Sequence, residues 1–191
     1  MNRKKETLIY ILAVIILFGV FMKLGGRYFT PAAVARANEL GLHYGPSQKV
    51  LLEYKGSEND VLVIGKVDDR SLSVIPAKRS FGIFWRLKGG GISGLSAIDY
   101  DKDNVAAWYS SNFQLAYGIT DLKNADSVKF SVEYKNNDMA DFALNDGYTA
   151  KVDGDGFFYL PIEKMDDESW YYVRNISVYD KEGKEIYTLE K

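Results

Sequence analysis

The stretch Ser127-Val128-Lys129-Phe130-Ser131-Val132-Glu133-Tyr134 decides the fold class. Val128, Phe130, Val132 and Tyr134 occupy alternate positions, with Lys129, Ser131 and Glu133 between them. Successive side chains of a strand point to opposite faces, so a period of two predicts a strand with one buried and one wetted face. The apolar positions carry β-branched and aromatic side chains, which suit a pleated, half-buried surface.

The same texture extends in both directions. Toward the C-terminus, Asn136-Asn137-Asp138 predicts a turn into residues 141–144, and Asn145-Asp146-Gly147 a turn into 148–152. Asp153-Gly154-Asp155-Gly156 is tight-turn chemistry leading into 157–160. Segments 170–173, 176–179 and 186–189 complete the set, with 180–184 as the last hairpin loop. Toward the N-terminus, 113–119, 105–109, 83–87 and 72–76 read as strands, as does the alternation of Val50, Leu52 and Tyr54. Residues 61–67 form a nearly continuous apolar run, the signature of a central strand. Strands spaced roughly every 8–12 residues between polar turns predict a mainly β chain built as an antiparallel β-sandwich. Residues 113–191 hold enough strands for an immunoglobulin-like unit in the C-terminal half. Residues 48–109 form either a separate sheet, with a sub-boundary near residue 110, or part of one larger sandwich.

Ahead of the strands the character changes. Residues 8–24 read Leu-Ile-Tyr-Ile-Leu-Ala-Val-Ile-Ile-Leu-Phe-Gly-Val-Phe-Met-Lys-Leu, with no charge from Thr7 to Met22. That charge-free part spans roughly 24 Å as a helix, short of the ~30 Å hydrocarbon core. If Lys23 snorkels, the apolar span extends to Gly26, so residues 8–26 are expected to form a transmembrane helix. A cleaved signal peptide is the rival reading, with small-x-small sites at Ala33-Val34-Ala35 and Ala35-Arg36-Ala37. Arg3, Lys4 and Lys5 precede the span and Lys23 and Arg27 follow it, which by the positive-inside bias leaves residues 1–7 cytoplasmic. With so short a basic N-terminus, no intracellular output domain is expected. Residues 27–47 are expected to be a juxtamembrane helix and turn: Thr30 as N-cap, Pro31 at the first helical position, Gly41 past the end, then Gly45-Pro46. Residues 48–191 become an extracytoplasmic β domain, placing the protein in a cell membrane as a single-pass chain.

Charge and composition narrow the chemistry. Residues 1–27 carry five basic side chains against Glu6, a net of +4, so residues 28–191 hold −6 of the overall −2. An acidic domain argues against nucleic acid as a partner, because phosphate backbones need clustered Lys and Arg. The chain has no cysteine, which excludes disulfides, thiolate metal sites and a cysteine nucleophile. A single histidine, His43, excludes multi-histidine metal centres and leaves little scope for a Ser-His-Asp triad.

Several features together carry a family likeness. These are the basic N-terminus and single span, the Thr30-Pro31 helix start, the Leu42-His43-Tyr44-Gly45-Pro46-Ser47 turn and the Phe81-Gly82-Ile83-Phe84-Trp85 run. The closing Tyr179-Asp180-Lys181-Glu182-Gly183-Lys184-Glu185-Ile186-Tyr187 adds a last hairpin of the same type. With them the chain resembles uncharacterised single-pass, membrane-anchored surface proteins of low-GC Gram-positive bacteria. The resemblance implies location and architecture, and brings no activity and no site residues with it.

Candidate sites are few. Asp99, Asp101 and Asp103 begin like a calcium loop, but Asn104 stands where the loop needs glycine and Ser110 where it needs the bidentate glutamate. They are the weak calcium candidate; Asp153 and Asp155 read better as hairpin chemistry. Gly89, Gly91 and Gly94 match G-x-G-x-x-G, yet no helix is predicted to open there, so the stretch reads as a loop. Lys78, Arg79, Arg86 and Lys88 form a basic group beside Phe81, Phe84 and Trp85, of a kind that meets anionic wall polymer or lipid headgroups. The expected function is a membrane-anchored, non-enzymatic binding module for an unknown protein or cell-wall partner. The alternatives are a carboxylate-dependent glycan hydrolase of the cell wall and a calcium-dependent structural or adhesive domain.

Overall fold

The computed structural model describes residues 3–42, 46–89, 94–99, 103–135, 143–163 and 170–190. It is mainly β, in antiparallel sheets, with an N-terminal apolar helix. That helix, α1 (Arg3–Leu24), is long and apolar enough to cross a membrane. It runs through Lys23 and stops at two glycines. Gly26 adopts φ +56°, its N–H donates to the Lys23 carbonyl and the Arg27 N–H donates to Met22. This is a Schellman stop, and a side chain at residue 26 would oppose it.

A second helix, α2 (Pro31–Glu39), starts at Thr30, whose hydroxyl accepts from the Ala33 N–H at 3.2 Å. Val34 and Ala35 are buried against Val61, Val63, Ile75, Ala77 and Trp85. Those partners belong to a five-stranded sheet made of β1 (Lys49–Ser57), β2 (Asp60–Asp68), β3 (Ser71–Ser80), β4 (Phe84–Leu87) and β5 (Gly94–Ala97), in which β4 and β5 both pair with β3. The opposite face of that sheet buries Leu62, Ile64, Leu72 and Val74. The continuous apolar run in β2 is thereby explained: Val61 and Val63 meet α2, while Leu62 and Ile64 meet the next sheet.

The next sheet is three-stranded, from β6 (Val105–Ser110), β7 (Leu115–Thr120) and β10 (Phe157–Pro161), in the order β10-β7-β6. It is the middle layer. Leu115, Tyr117, Ile119 and Phe157 face the five-stranded sheet, while Val105, Ala116 and Phe158 face a four-stranded one. That last sheet holds β8 (Ser127–Lys135), β9 (Ala143–Lys151), β11 (Trp170–Tyr179) and β12 (Glu185–Leu189), in the order β12-β11-β8-β9. Val128, Phe130 and Val132 of β8 are buried with Ala150, Ile176 and Val178, as the alternation in residues 127–134 predicts. The switch between sheets falls between Ala97 and Val105.

Three local expectations are corrected. Asn145-Asp146-Gly147 is not a turn between two strands but lies inside β9, where the register with β8 shifts between Phe130 and Val132. Gly147 takes φ +89°, and Asp146 turns back to accept from Ser131 Oγ at 2.6 Å, so a bulge replaces the turn. Segments 170–173 and 176–179 likewise form the single strand β11, irregular between Arg174 and Ser177, with Asn175 at φ +49°. Gly94 opens a strand, β5, where a loop was expected. The expected turn at Asn136-Asn137-Asp138 lies outside the described residues.

Candidate functional site

The fold has two distinguishable ends. β3 is ten residues long, about 33 Å at the usual rise per strand residue. Its Ser80 end pairs with Phe84, whose ring lies 6.2 Å from Phe18 of α1. Its Ser71 end therefore points away from α1, and there the turns of all three sheets gather. An open groove of about 560 Å³ crosses this distal end, lined by charged residues of the β2–β3 turn (Lys66, Asp69), the β7–β8 connection (Asp121, Lys123, Asp126) and the β9–β10 turn (Asp153, Asp155). Lys181 of the β11–β12 turn closes it.

Most of the groove's carboxylates are engaged in holding loops. Lys49 Nζ lies 2.6 Å from Asp155 Oδ2, while Lys66 Nζ lies 2.8 Å from Asp69 and donates to the Asp155 carbonyl at 3.1 Å. The Lys49 hydrogen bond draws the Asp155 carboxyl below its ordinary range, and Asp155 in turn raises Lys49. Asp153 Oδ1 accepts from the N–H groups of Asp155 and Phe157 at 2.9 and 3.0 Å, fixing the turn. Gly156 is required there, since it adopts φ +79° and a Cβ would collide with the Thr120 carbonyl. Lys151 clasps both oxygens of Asp126 at 2.7 and 2.6 Å. Exposed pairs of this kind add little to stability, because solvent and salt screen them, so their main effect is to set loop positions.

Arg70 is the structural centre of this end. It donates from Nη1 to Asp121 Oδ2 at 2.5 Å, and from Nη2 to the carbonyls of Asp99 and Asp103 at 3.1 and 2.7 Å. One guanidinium thus ties the β2–β3 turn to the segment joining β5 and β6 and to the β7–β8 connection. Of the calcium candidates, Asp99 and Asp103 direct backbone carbonyls at this cation, and Asp101 lies outside the described residues. Among the described residues no three His, Cys, Asp or Glu side chains converge as a metal site would require. His43 and Gly91 lie outside the described residues, and the segment after them in the glycine pattern, Gly94–Ala97, is strand rather than helix.

The basic group flagged in sequence is only partly assembled. Lys88 pairs with Asp60 at 2.7 Å and lies over the Phe113 ring, turned away from its neighbours. Arg79 stacks over Trp85 at 5.2 Å, and Lys78 sits opposite Arg86 across the β3–β4 ladder. Sequence reasoning missed Arg70 and Asp121, which are 51 residues apart. It also missed Glu39, which is 1% exposed at the end of α2. Arg70 has partners far from it in the chain, which no local pattern points to.

No protein-family model matches the chain, and no curated protein or solved structure is significantly similar to it.

Proposed function

We propose that the protein is a single-pass, membrane-anchored binding module that holds an extracytoplasmic β domain over a membrane and engages a protein or cell-wall partner without catalysing a reaction. The observation that carries this reading is the polarity of the fold. An exposed apolar helix stands at one end of β3, and a loop-built, mixed-charge groove lies about 33 Å away at the other. Loops clustered at one end of packed sheets are the usual place for contact surfaces.

In this reading the N-terminus faces the cytoplasm, because Arg3, Lys4 and Lys5 outnumber the basic residues that follow α1. α2 becomes a juxtamembrane helix. Its burial supports retention of the anchor, since Val34 and Ala35 belong to the core and cleavage at Ala35 or Ala37 would detach them.

The seven strands β6–β12 support an immunoglobulin-like unit. In chain order, the first, second and fifth form one sheet and the third, fourth, sixth and seventh the other. The constant-type arrangement differs only in keeping the fourth strand with the first sheet. A calcium-dependent domain is less well supported, because a guanidinium already takes the carbonyls of Asp99 and Asp103.

The test is site-specific photocrosslinking of the full-length protein in its native membrane, from Lys123 in the groove and from Leu144 on β9. Adducts confined to Lys123, together with no turnover of wall glycan by the detergent-purified chain, are the expected result. Release of glycan fragments, or equal crosslinking from both positions, would overturn the reading.

A further inference from the structure

The β3–β4 hairpin does not stop at the edge of the sheet. Its tip, Phe81-Gly82-Ile83, projects beside the C-terminal turns of α1, and its two apolar side chains face outward: Phe81 is 75% and Ile83 64% exposed. Phe81 also adopts φ +52°, a conformation that disfavours any residue with a Cβ. The backbone strain is the same in any solvent, but it holds a large apolar side chain out from the fold, where water penalises it. That exposure is explained if the tip meets an apolar phase.

α1 shows where that phase would lie. Phe18 is six residues before the helix end at Leu24, about 9 Å down the axis. Its ring is 6.2 Å from that of Phe84, and Phe84 packs edge-on against Phe29 at 5.4 Å. The hairpin thus descends along the last turns of α1, into the level its apolar surface occupies. Tyr28 and Trp85 exchange backbone hydrogen bonds at 2.8 and 2.7 Å, so helix and hairpin are joined through the chain that leaves α1. The cations are arranged as an interface requires. Arg27 lies over the rings of both Phe21 and Phe81, and Arg79 lies over Trp85, so guanidinium groups ring the base of the apolar tip. Lys78 and Arg86 are exposed beside them. Apolar tip, aromatic collar and basic rim are the ordering found where proteins enter the headgroup region.

We propose that the Phe81–Ile83 tip inserts into the outer leaflet beside α1, as a second membrane contact that sets the tilt of the domain and points the charged groove away from the lipid. The proposal rests on the membrane reading given above. It also bears on the short charge-free span of α1, because the hairpin adds apolar side chains at the outer boundary where the helix alone is marginal.

Since the chain has no cysteine, single cysteines can carry an environment-sensitive fluorophore without background. Full-length protein with Ile83→Cys, Leu12→Cys or Lys181→Cys would be reconstituted in vesicles of phosphatidylcholine and phosphatidylglycerol. The labels at 83 and 12 are expected to shift to the blue, lose intensity to lipids brominated on their acyl chains and resist aqueous iodide. The label at 181 should behave in the opposite way. Lipid quenching at 12 with full iodide access at 83 would overturn the hairpin proposal and leave the anchor standing. Iodide access at 12 would overturn both.

Discussion

Glu39 and Ser47 clasp α2 to the start of the five-stranded sheet: a single oxygen, Glu39 Oε2, accepts from both the N–H and the hydroxyl of Ser47, at 2.9 and 3.1 Å. Arg36 adds a donor to the Ser47 carbonyl at 3.4 Å. Both Glu39 and Ser47 are buried, so the carboxylate satisfies donors that water does not reach. Replacing it tests whether α2 belongs to the domain. Glu39→Ala should lower stability by about 1–3 kcal/mol, because a buried N–H is left without its acceptor. Glu39→Gln keeps an oxygen in place and should lose less. Denaturant titration of the two variants checks the order.

Arg70 should be the most sensitive charged residue at the distal end. Arg70→Met removes the donor to Asp121 and to the carbonyls of Asp99 and Asp103. Hydrogen bonds to a charged group contribute roughly 1.5–3 kcal/mol each at the high end of the usual range, and partial solvent access reduces the total, so a loss of about 2–4 kcal/mol is expected. Arg70→Lys should recover little, since a point-like ammonium does not reproduce the fork of a guanidinium. Thermal melting of both variants provides the comparison.

In the middle sheet, Phe158 lies opposite Gly118, and a Cβ on that glycine would collide with the Phe158 ring and the Ala106 carbonyl. Gly118→Val should destabilise by about 1–3 kcal/mol or more, the usual cost of overpacking a filled core. Gly154→Val is the control, because a Cβ there meets open space. Denaturation midpoints at matched slope should separate them clearly.

Stability should fall at high pH. Burial pushes the Tyr117 hydroxyl up to about 12, and burial with neighbouring tyrosines pushes Tyr109 up to about 12 as well. A phenol whose pKa is raised by folding favours the folded state while it stays protonated. That stabilisation is complete below the unfolded value of 10 and is lost as the pH climbs toward 12. For Tyr117, only 4% exposed, the loss amounts to about 2–3 kcal/mol. Tyr117→Phe should flatten the fall in melting temperature across that window, and phenolate absorbance should show late-titrating tyrosines.

The groove lysines should affect binding without affecting folding. Lys123 and Lys181 line the distal groove, and they line a second hollow beside Asp180 and Glu182. Lys181→Glu should sharply reduce crosslinking from the probe at position 123 while leaving stability within about 0.5 kcal/mol of the parent, as surface substitutions usually do. Unchanged crosslinking would show that the partner contacts another face.

What could be read directly was whatever follows from local period and local chemistry. The alternation of residues 127–134 predicted β8 because side-chain direction in a strand depends only on position along it. The apolar run at 61–67 predicted a central strand, and β2 does lie between β1 and β3. Thr30-Pro31 marked the start of α2, and the charge-free stretch from Thr7 to Met22 predicted a helix able to cross a membrane. Bulges escaped, because Asn145-Asp146-Gly147 and Asn175 carry turn chemistry in either setting and only pairing with β8 decides between them. Tertiary structure alone decided which strands share a sheet, that the three-stranded sheet lies in the middle, and that α2 covers an outer face. It alone brought Arg70 to Asp121, and set Phe84, next to the Phe81–Ile83 tip, beside Phe18. These are contacts between residues far apart in the chain, chosen by which surfaces bury well together, and no local period encodes that choice.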